Sequence, residues 1–288
     1  MIETTHEGWF SRILGSIKTV LLGLFLAAIA VPLLFWNEGR AVHTARSLEE
    51  GAGSVIAVDA AKVDAANDGR LVHIRGKATA GSKLIDSAFG VEADALSMHR
   101  DVEMFQWEET SKTKSKKKLG GSKVKRTRYS YNRVWDDSLI DSQNFKEEGH
   151  DNPPRMPHKS KQFQASGVTL GAFKLSSAHV AKLGRGETLD VSKRATNGSE
   201  RGRPHDGMLF LGEDPQQPRI GDVRIGYTAV KPGVVSLIGQ QVGDTFKPWE
   251  APSGDGLLMV ERGDLTADEM FSQAETANTV LTWGLRVV

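Results

Sequence analysis

Hydrophobic positions crowd into one stretch near the start of the chain and alternate with polar ones almost everywhere else. Thr19–Trp36, TVLLGLFLAAIAVPLLFW, runs 18 residues without a charge. As a helix it is about 27 Å long, close to the roughly 30 Å hydrocarbon core of a bilayer. Ile13, Leu14 and Ile17 extend it, Lys18 is placed to snorkel, and Pro32 is tolerated in a membrane helix. Trp9, Phe10 and Trp36 fall where interfacial aromatics belong. A buried globular helix and a cleaved signal peptide are the competing readings. The apolar core exceeds the ~7–15 residues of a signal peptide, and Phe35-Trp36-Asn37-Glu38 offers no small-residue cleavage site. The pattern predicts a short polar N-terminus over 1–12 and an uncleaved transmembrane helix over 13–36.

Beyond Asn37 the periodicity changes. Ala41, Ala45 and Leu48 keep helical spacing, which predicts a juxtamembrane stalk over 37–53 that Gly51 and Gly53 end. Residues 54–286 read as a β-rich domain. Gly69–Gly76, GRLVHIRG, alternates as a strand with one buried face and His73 on its polar face. Val102, Met104 and Gln106 alternate against Glu103, Phe105 and Trp107, and Tyr129–Trp135 returns as a partner strand. Gly120-Gly121 between them is a turn signal, so Val91–Trp135 predicts a long hairpin. Residues 136–160, with Pro153, Pro154 and Pro157, are irregular and form the predicted seam of any subdivision. Thr196–His205 reads as a surface loop, and Asp222–Val230 followed by Lys231-Pro232-Gly233 as a strand and turn. Two soluble helices are predicted, Ser176–Leu183 with Val180 and Leu183 inward, and Leu265–Asn278 with a Thr266/Glu269 capping box. The fold class is α+β, predominantly antiparallel β, behind one membrane helix.

Composition narrows the chemistry. The 288 residues carry a net charge of +1 and no cysteine, so disulfides, thiolate catalysis and Cys-ligated metals are excluded, and overall charge gives no case for nucleic acid. Arg12 and Lys18 on one flank of the apolar run balance Arg40 and Arg46 on the other, so charge leaves its orientation open. No nucleophile elbow, phosphate loop, dinucleotide fingerprint or paired-histidine zinc motif occurs. The chain is therefore read as a non-enzyme, with no catalytic, cofactor or metal residues assigned. Three places remain. Ser111–Arg128 holds Lys112, Lys114, Lys116, Lys117, Lys118, Lys123, Lys125, Arg126 and Arg128 with no acid, a basic hairpin tip that is either simply solvated or a contact for lipid headgroups or other anions. It lacks the interleaved aromatics of a nucleic-acid site. His150 and Asn152 form a candidate loop site. Trp36, Glu38 and Arg40 mark the membrane boundary.

Several of these motifs together resemble the transmembrane protein 43 (LUMA) family. They are Asn37-Glu38-Gly39-Arg40-Ala41, Gly69-Arg70-Leu71-Val72-His73-Ile74, Val102-Glu103-Met104 with Gln106-Trp107, Thr127–Asn132 with Trp135, Gly149-His150, Asn152-Pro153, Gly221-Asp222 with Arg224, and Thr282–Arg286. The resemblance implies a multi-pass membrane protein. Its N-terminal helix precedes a large domain, lumenal at the endoplasmic reticulum and inner nuclear membrane in eukaryotes and periplasmic on the inner membrane in bacteria. It also implies a role in organising membrane-protein complexes, with lamins and emerin among the eukaryotic associations. The family's C-terminal membrane helices are not in this sequence, so residues 287–288 read as the start of a second helix and the chain as truncated. The resulting expectation is a membrane-anchored scaffold that binds other membrane proteins or its own copies, the membrane itself being a partner and nucleic acid not. An anionic-lipid-binding surface module and a membrane-tethered hydrolase are the alternatives.

Overall fold

The computed structural model describes residues 1–7, 9–117, 123–191 and 202–287. In chain order these form β1 (Ile2–Glu7), α1 (Trp9–Ser54), β2 (Ile56–Asp59), β3 (Leu71–Thr79), β4 (Leu84–Asp86), β5 (Val91–Ala93), β6 (Ser97–Lys117) and β7 (Lys123–Asp136). Next come β8 (Lys161–Gln164), β9 (Thr169–Leu170), β10 (Phe173–Lys174), α2 (Ser177–Lys182), β11 (Glu187–Leu189), β12 (Arg203–His205), β13 (Met208–Leu211) and β14 (Val223–Val230). The last are β15 (Gly233–Val242), β16 (Thr245–Lys247), β17 (Trp249–Glu250), β18 (Gly256–Leu257), β19 (Met259–Arg262) and α3 (Ala267–Val287). The predicted strand-rich α+β fold with an N-terminal apolar helix is what forms. The Gly120-Gly121 turn and Lys118 of the basic run, most of the Thr196–His205 stretch, and Val288 lie outside the described residues.

Two compact units can be distinguished. The core unit comprises Pro32–Arg100, Lys161–Arg201 and Gly226–Val288. Its centre is β3 against β15, antiparallel from Gly233↔Ala78 to Gln240↔Leu71. β19 and β16 flank β15, and β9 and β2 flank β3. The β2–β3 pair is parallel, with Ile56 opposite Val72, an exception to the expected antiparallel pattern that the connection through residues 60–70 permits. Val72 and Ile74 enter one apolar core with Leu96, Leu170, Phe173 and Leu237. The opposite face of β3 was expected to be polar. Instead Leu48 of α1 and Met270 and Phe271 of α3 cover it, packing on Leu71 and Ile238, and His73 is buried there. A central strand covered on both faces loses its alternation of exposure.

α1 is continuous for 46 residues, with Pro32 inside it. Its apolar part is bare: Leu21, Phe25 and Trp36 are each about 60 % exposed. A helix apolar on all sides and bare on all sides suits lipid, not a protein core. From Asn37 onward the same helix enters the core unit, where Asn37, Ser47 and Leu48 are buried. Gly51 does not end it. A Cβ there would come within 3.0 Å of the Phe271 ring, so glycine at this position lets α1 approach α3, and the helix runs on to Ser54.

The hairpin unit comprises Met1–Val31, Asp101–Ser160 and Gly202–Ile225. Here β6 and β7 pair from Met104↔Asp136 to Lys117↔Lys123. At the root, Val102, Met104 and Gln106 are buried on one face. On the other, Phe105 and Trp135 pack ring to ring at 5.0 Å, and Arg133 lies over Trp107 at 5.7 Å. The aromatic stripe is cross-strand packing, as its period-two spacing predicts. Arg203–His205, expected in a loop, is a strand paired to β13 through a turn with φ of 47° at Asp206 and 75° at Gly207. Both central residues in the left-handed region define the tight hairpin turn that Asp-Gly favours. β1 pairs along the outer edge of β7, from Ile2↔Arg128 to Glu7↔Lys123. That pairing and a bilayer crossing by α1 exclude each other, because β1 precedes the helix in the chain and the hairpin follows it.

Candidate functional site

The boundary residues Glu38 and Arg40 join α1 to α3. The two helices run antiparallel, with Asn37 beside Thr282 and Gly51 beside Phe271. Between them lies a polar clamp. Arg40 donates to Asn278 Oδ1 at 2.9 Å, to Thr282 Oγ1 at 2.9 Å and to Asn37 Oδ1 at 3.3 Å. Asn37 Nδ2 donates to the Thr282 carbonyl at 3.1 Å, and Asn278 Nδ2 to the Ala41 carbonyl at 3.0 Å. The Arg40 Nε is buried without a hydrogen-bond partner. One turn beyond Thr282 on α3, Arg286 forms a two-pronged ion pair with Glu38 at 2.7 and 2.8 Å. The bonds from Arg286 hold the Glu38 carboxyl below the usual carboxylate range. Trp36 makes none of these contacts and stays exposed beside them, as does Trp283 at 58 %. Thr282 and Arg286 entered the sequence reading only within a family motif, and neither they nor Asn278 were assigned to a site. Their signal is polar residues at four-residue spacing on one face of α3.

The loop candidates are fastened to the root of the hairpin. Asn152 substitutes for a strand: its Oδ1 accepts from the Trp107 N–H at 2.7 Å, and its Nδ2 donates to the carbonyls of Trp107 at 2.9 Å and Ile140 at 3.1 Å. His150 stacks on Tyr131 at 3.9 Å and meets Trp107 edge-on at 4.7 Å. The Tyr131 hydroxyl donates to Glu109 at 2.6 Å. Desolvation, with that bond and the Glu109 charge behind it, pushes the phenol up to about 12. Burial works to raise the Glu109 carboxyl, but the Lys146 N–H and the Tyr131 hydroxyl outweigh it and hold the group low. These contacts hold the loop, and none of them sets a base beside a nucleophile.

In the core unit a buried cluster went unread in the sequence. Asp86 Oδ2 accepts from Arg100 at 2.7 Å and from the Tyr227 hydroxyl at 2.8 Å. Burial and that carboxylate push the Tyr227 phenol far up. Two open hollows lie in the hairpin unit. One of about 610 Å³ is lined by Met104, Pro153, Pro154, Arg155, Met156, Pro157 and Gly221. The other, of about 460 Å³, is lined by Phe105, Arg133, Asp214, Gln216, Gln217, Pro218 and Arg219. Neither brings a histidine to a carboxylate. Among the described residues no group of three or more His, Asp or Glu is arranged to hold a metal.

The basic residues sort onto two faces of the hairpin. Register places Lys112 opposite Arg128 and Lys114 opposite Arg126 on one face, joined by Lys116. Lys117, opposite Lys123, and Lys125 fall on the other.

A bare apolar helix running unbroken into a strand-rich domain defines a membrane-anchored protein. The family described as Transmembrane protein 43 matches residues 104–288. Human Transmembrane protein 43 is 35 % identical over 295 residues, which cover 98 % of this chain and 73 % of the human one. The mouse protein of the same name is 35 % identical, covering 99 % and 74 %. The Drosophila melanogaster Transmembrane protein 43 homolog is 28 % identical, covering 99 % and 75 %. No solved structure matches. The chain belongs to the transmembrane protein 43 family and is a membrane protein.

Proposed function

We propose that the protein is a membrane-anchored scaffold whose β-rich domain gathers other membrane proteins, or copies of itself, at the bilayer surface. The observation that carries this reading is the join between anchor and domain. α1 passes from its apolar run into the core unit without a linker, and the Asn37–Arg40–Asn278–Thr282 clamp ties its first turns beyond that run to α3. A tethered enzyme that samples soluble substrate has no need of so stiff a join, whereas a scaffold that sets the spacing of bound partners does. The domain then stands on the side of the membrane opposite the N-terminus, lumenal in a eukaryotic cell and periplasmic in a bacterial one. The test is chemical crosslinking of the tagged, full chain in native membranes, followed by mass spectrometry. A stoichiometric membrane-protein partner or a ladder of self-crosslinked species is expected. A clean monomer across a range of crosslinker lengths contradicts the reading.

A further inference from the structure

Along β6, residues of even number share one face. Near the root that face is core: Val102, Met104 and Gln106 are buried. Past Glu108 it leaves the core, and its occupants become Lys112, Lys114 and Lys116, all exposed. β7 brings Arg128 directly opposite Lys112 and Arg126 opposite Lys114, and both arginines are exposed. Strand geometry puts alternate residues about 7 Å apart and facing Cβ atoms about 5 Å apart. Five cations therefore share a patch about 14 Å long and two strands wide. From Thr110 outward no acid of β6 or β7 lies on it. Like charges placed directly opposite each other across strands are destabilising. On this face the hairpin places two such pairs in succession, with small polar residues (Ser111, Thr113, Ser115) at the intervening positions of β6; a third pair, Lys117 with Lys123, lies on the other face at the outer end.

We propose that this face is a binding surface for anionic lipid headgroups of the membrane in which the chain is anchored. The charge sorting gives the ligand its sign. The spread of five cations along two strands suits a surface better than a single small anion. The anchor selects a bilayer over an acidic protein: α1 keeps the domain at the membrane, so the patch faces a high local concentration of headgroups, and each cation brought near an anionic surface adds an electrostatic increment within a Debye length. The inference is independent of the scaffold reading and stands or falls by itself.

The test uses the full chain in lipid nanodiscs. Val124 lies opposite Lys116 at the outer end of the patch. As the chain has no cysteine, Val124→Cys carries a fluorophore at one position only. Quenching by headgroup-nitroxide lipid then reports contact with the surface. Strong quenching is expected in discs containing phosphatidylglycerol, and little in phosphatidylcholine alone. Salt at about 0.5 M, where the Debye length falls to roughly 4 Å, should reverse it. Neutralising one cation of the face should lower the bound-to-free ratio about fivefold, and neutralising all five to glutamine should abolish the difference between the lipids. Lys123→Gln with Lys125→Gln, on the opposite face, should leave it in place. Equal quenching in both lipids, quenching unmoved by salt, or equal loss from the two sets of variants overturns the proposal. So does an acidic protein crosslinked to the hairpin in native membranes when the lipid-dependent quenching is absent.

Discussion

Replacing Arg40 with methionine keeps most of the side chain's length and removes the guanidinium that bridges α1 and α3. Asn278 Oδ1 and Thr282 Oγ1 then lose their donor in a part-buried interface, at a cost of about 1–3 kcal/mol. A lower thermal midpoint by circular dichroism, with Arg40→Lys failing to restore it because one ammonium cannot replace a planar fork, is the expected outcome. Two histidines give the core unit a pH dependence. His73 donates from Nε2 to the Leu265 carbonyl at 3.0 Å, and His179 accepts at Nδ1 from the Ser176 N–H at 3.0 Å, completing the cap of α2. Burial lowers the pKa of both. The unfolded chain therefore takes up protons first as the pH falls through about 6.5. The stability these groups contribute is whole above that value and is lost below it. Thermal midpoints should fall between about pH 7.5 and 5.5, and His73→Gln with His179→Gln should flatten that limb. Little of this was legible in the sequence. Arg40 and Asn278 are 238 positions apart, and burial of His73 depends on two helices laid over a strand whose own pattern shows only alternation.

The elements were more readable than the contacts between them. Alternation at Val102–Trp107 and Tyr129–Trp135, with charge between, predicts the β6–β7 hairpin, and the register bears it out. The Thr266/Glu269 capping box starts α3 as read, with bonds of 2.8 Å and 3.3 Å. The helix continues past the predicted end at Asn278 because Thr282 and Arg286 are tied to Asn37 and Glu38, which outweighs the helix-weakening Gly284. The β12–β13 hairpin was missed although its Asp206-Gly207 signal stood in plain view, masked by a Gly-, Arg- and Ser-rich approach. Asn152 acts at this scale. Its side chain does for Trp107 what a neighbouring strand would, and Asn152→Ala should free the loop of residues 137–152. Local opening should become easier by about 1–3 kcal/mol, seen as faster hydrogen exchange and earlier proteolysis there, with the rest of the hairpin unit unchanged. Protection equal to that of the parent chain contradicts the role.

At the scale of the whole molecule, everything depends on whether α1 crosses the bilayer. Its 18-residue uncharged run and bare surface say that it does. The edge pairing of β1 with β7 belongs to the state in which it does not, since residues 2–7 and the hairpin cannot meet through a hydrocarbon layer. The deciding measurement exploits the absence of cysteine: single thiols at Thr5→Cys and Asp151→Cys, in sealed membrane vesicles, probed with a membrane-impermeant maleimide. The account predicts labelling of the two positions from opposite sides. Labelling of both from the same side would mean that β1 stays on β7 and the apolar helix does not span, and would contradict it.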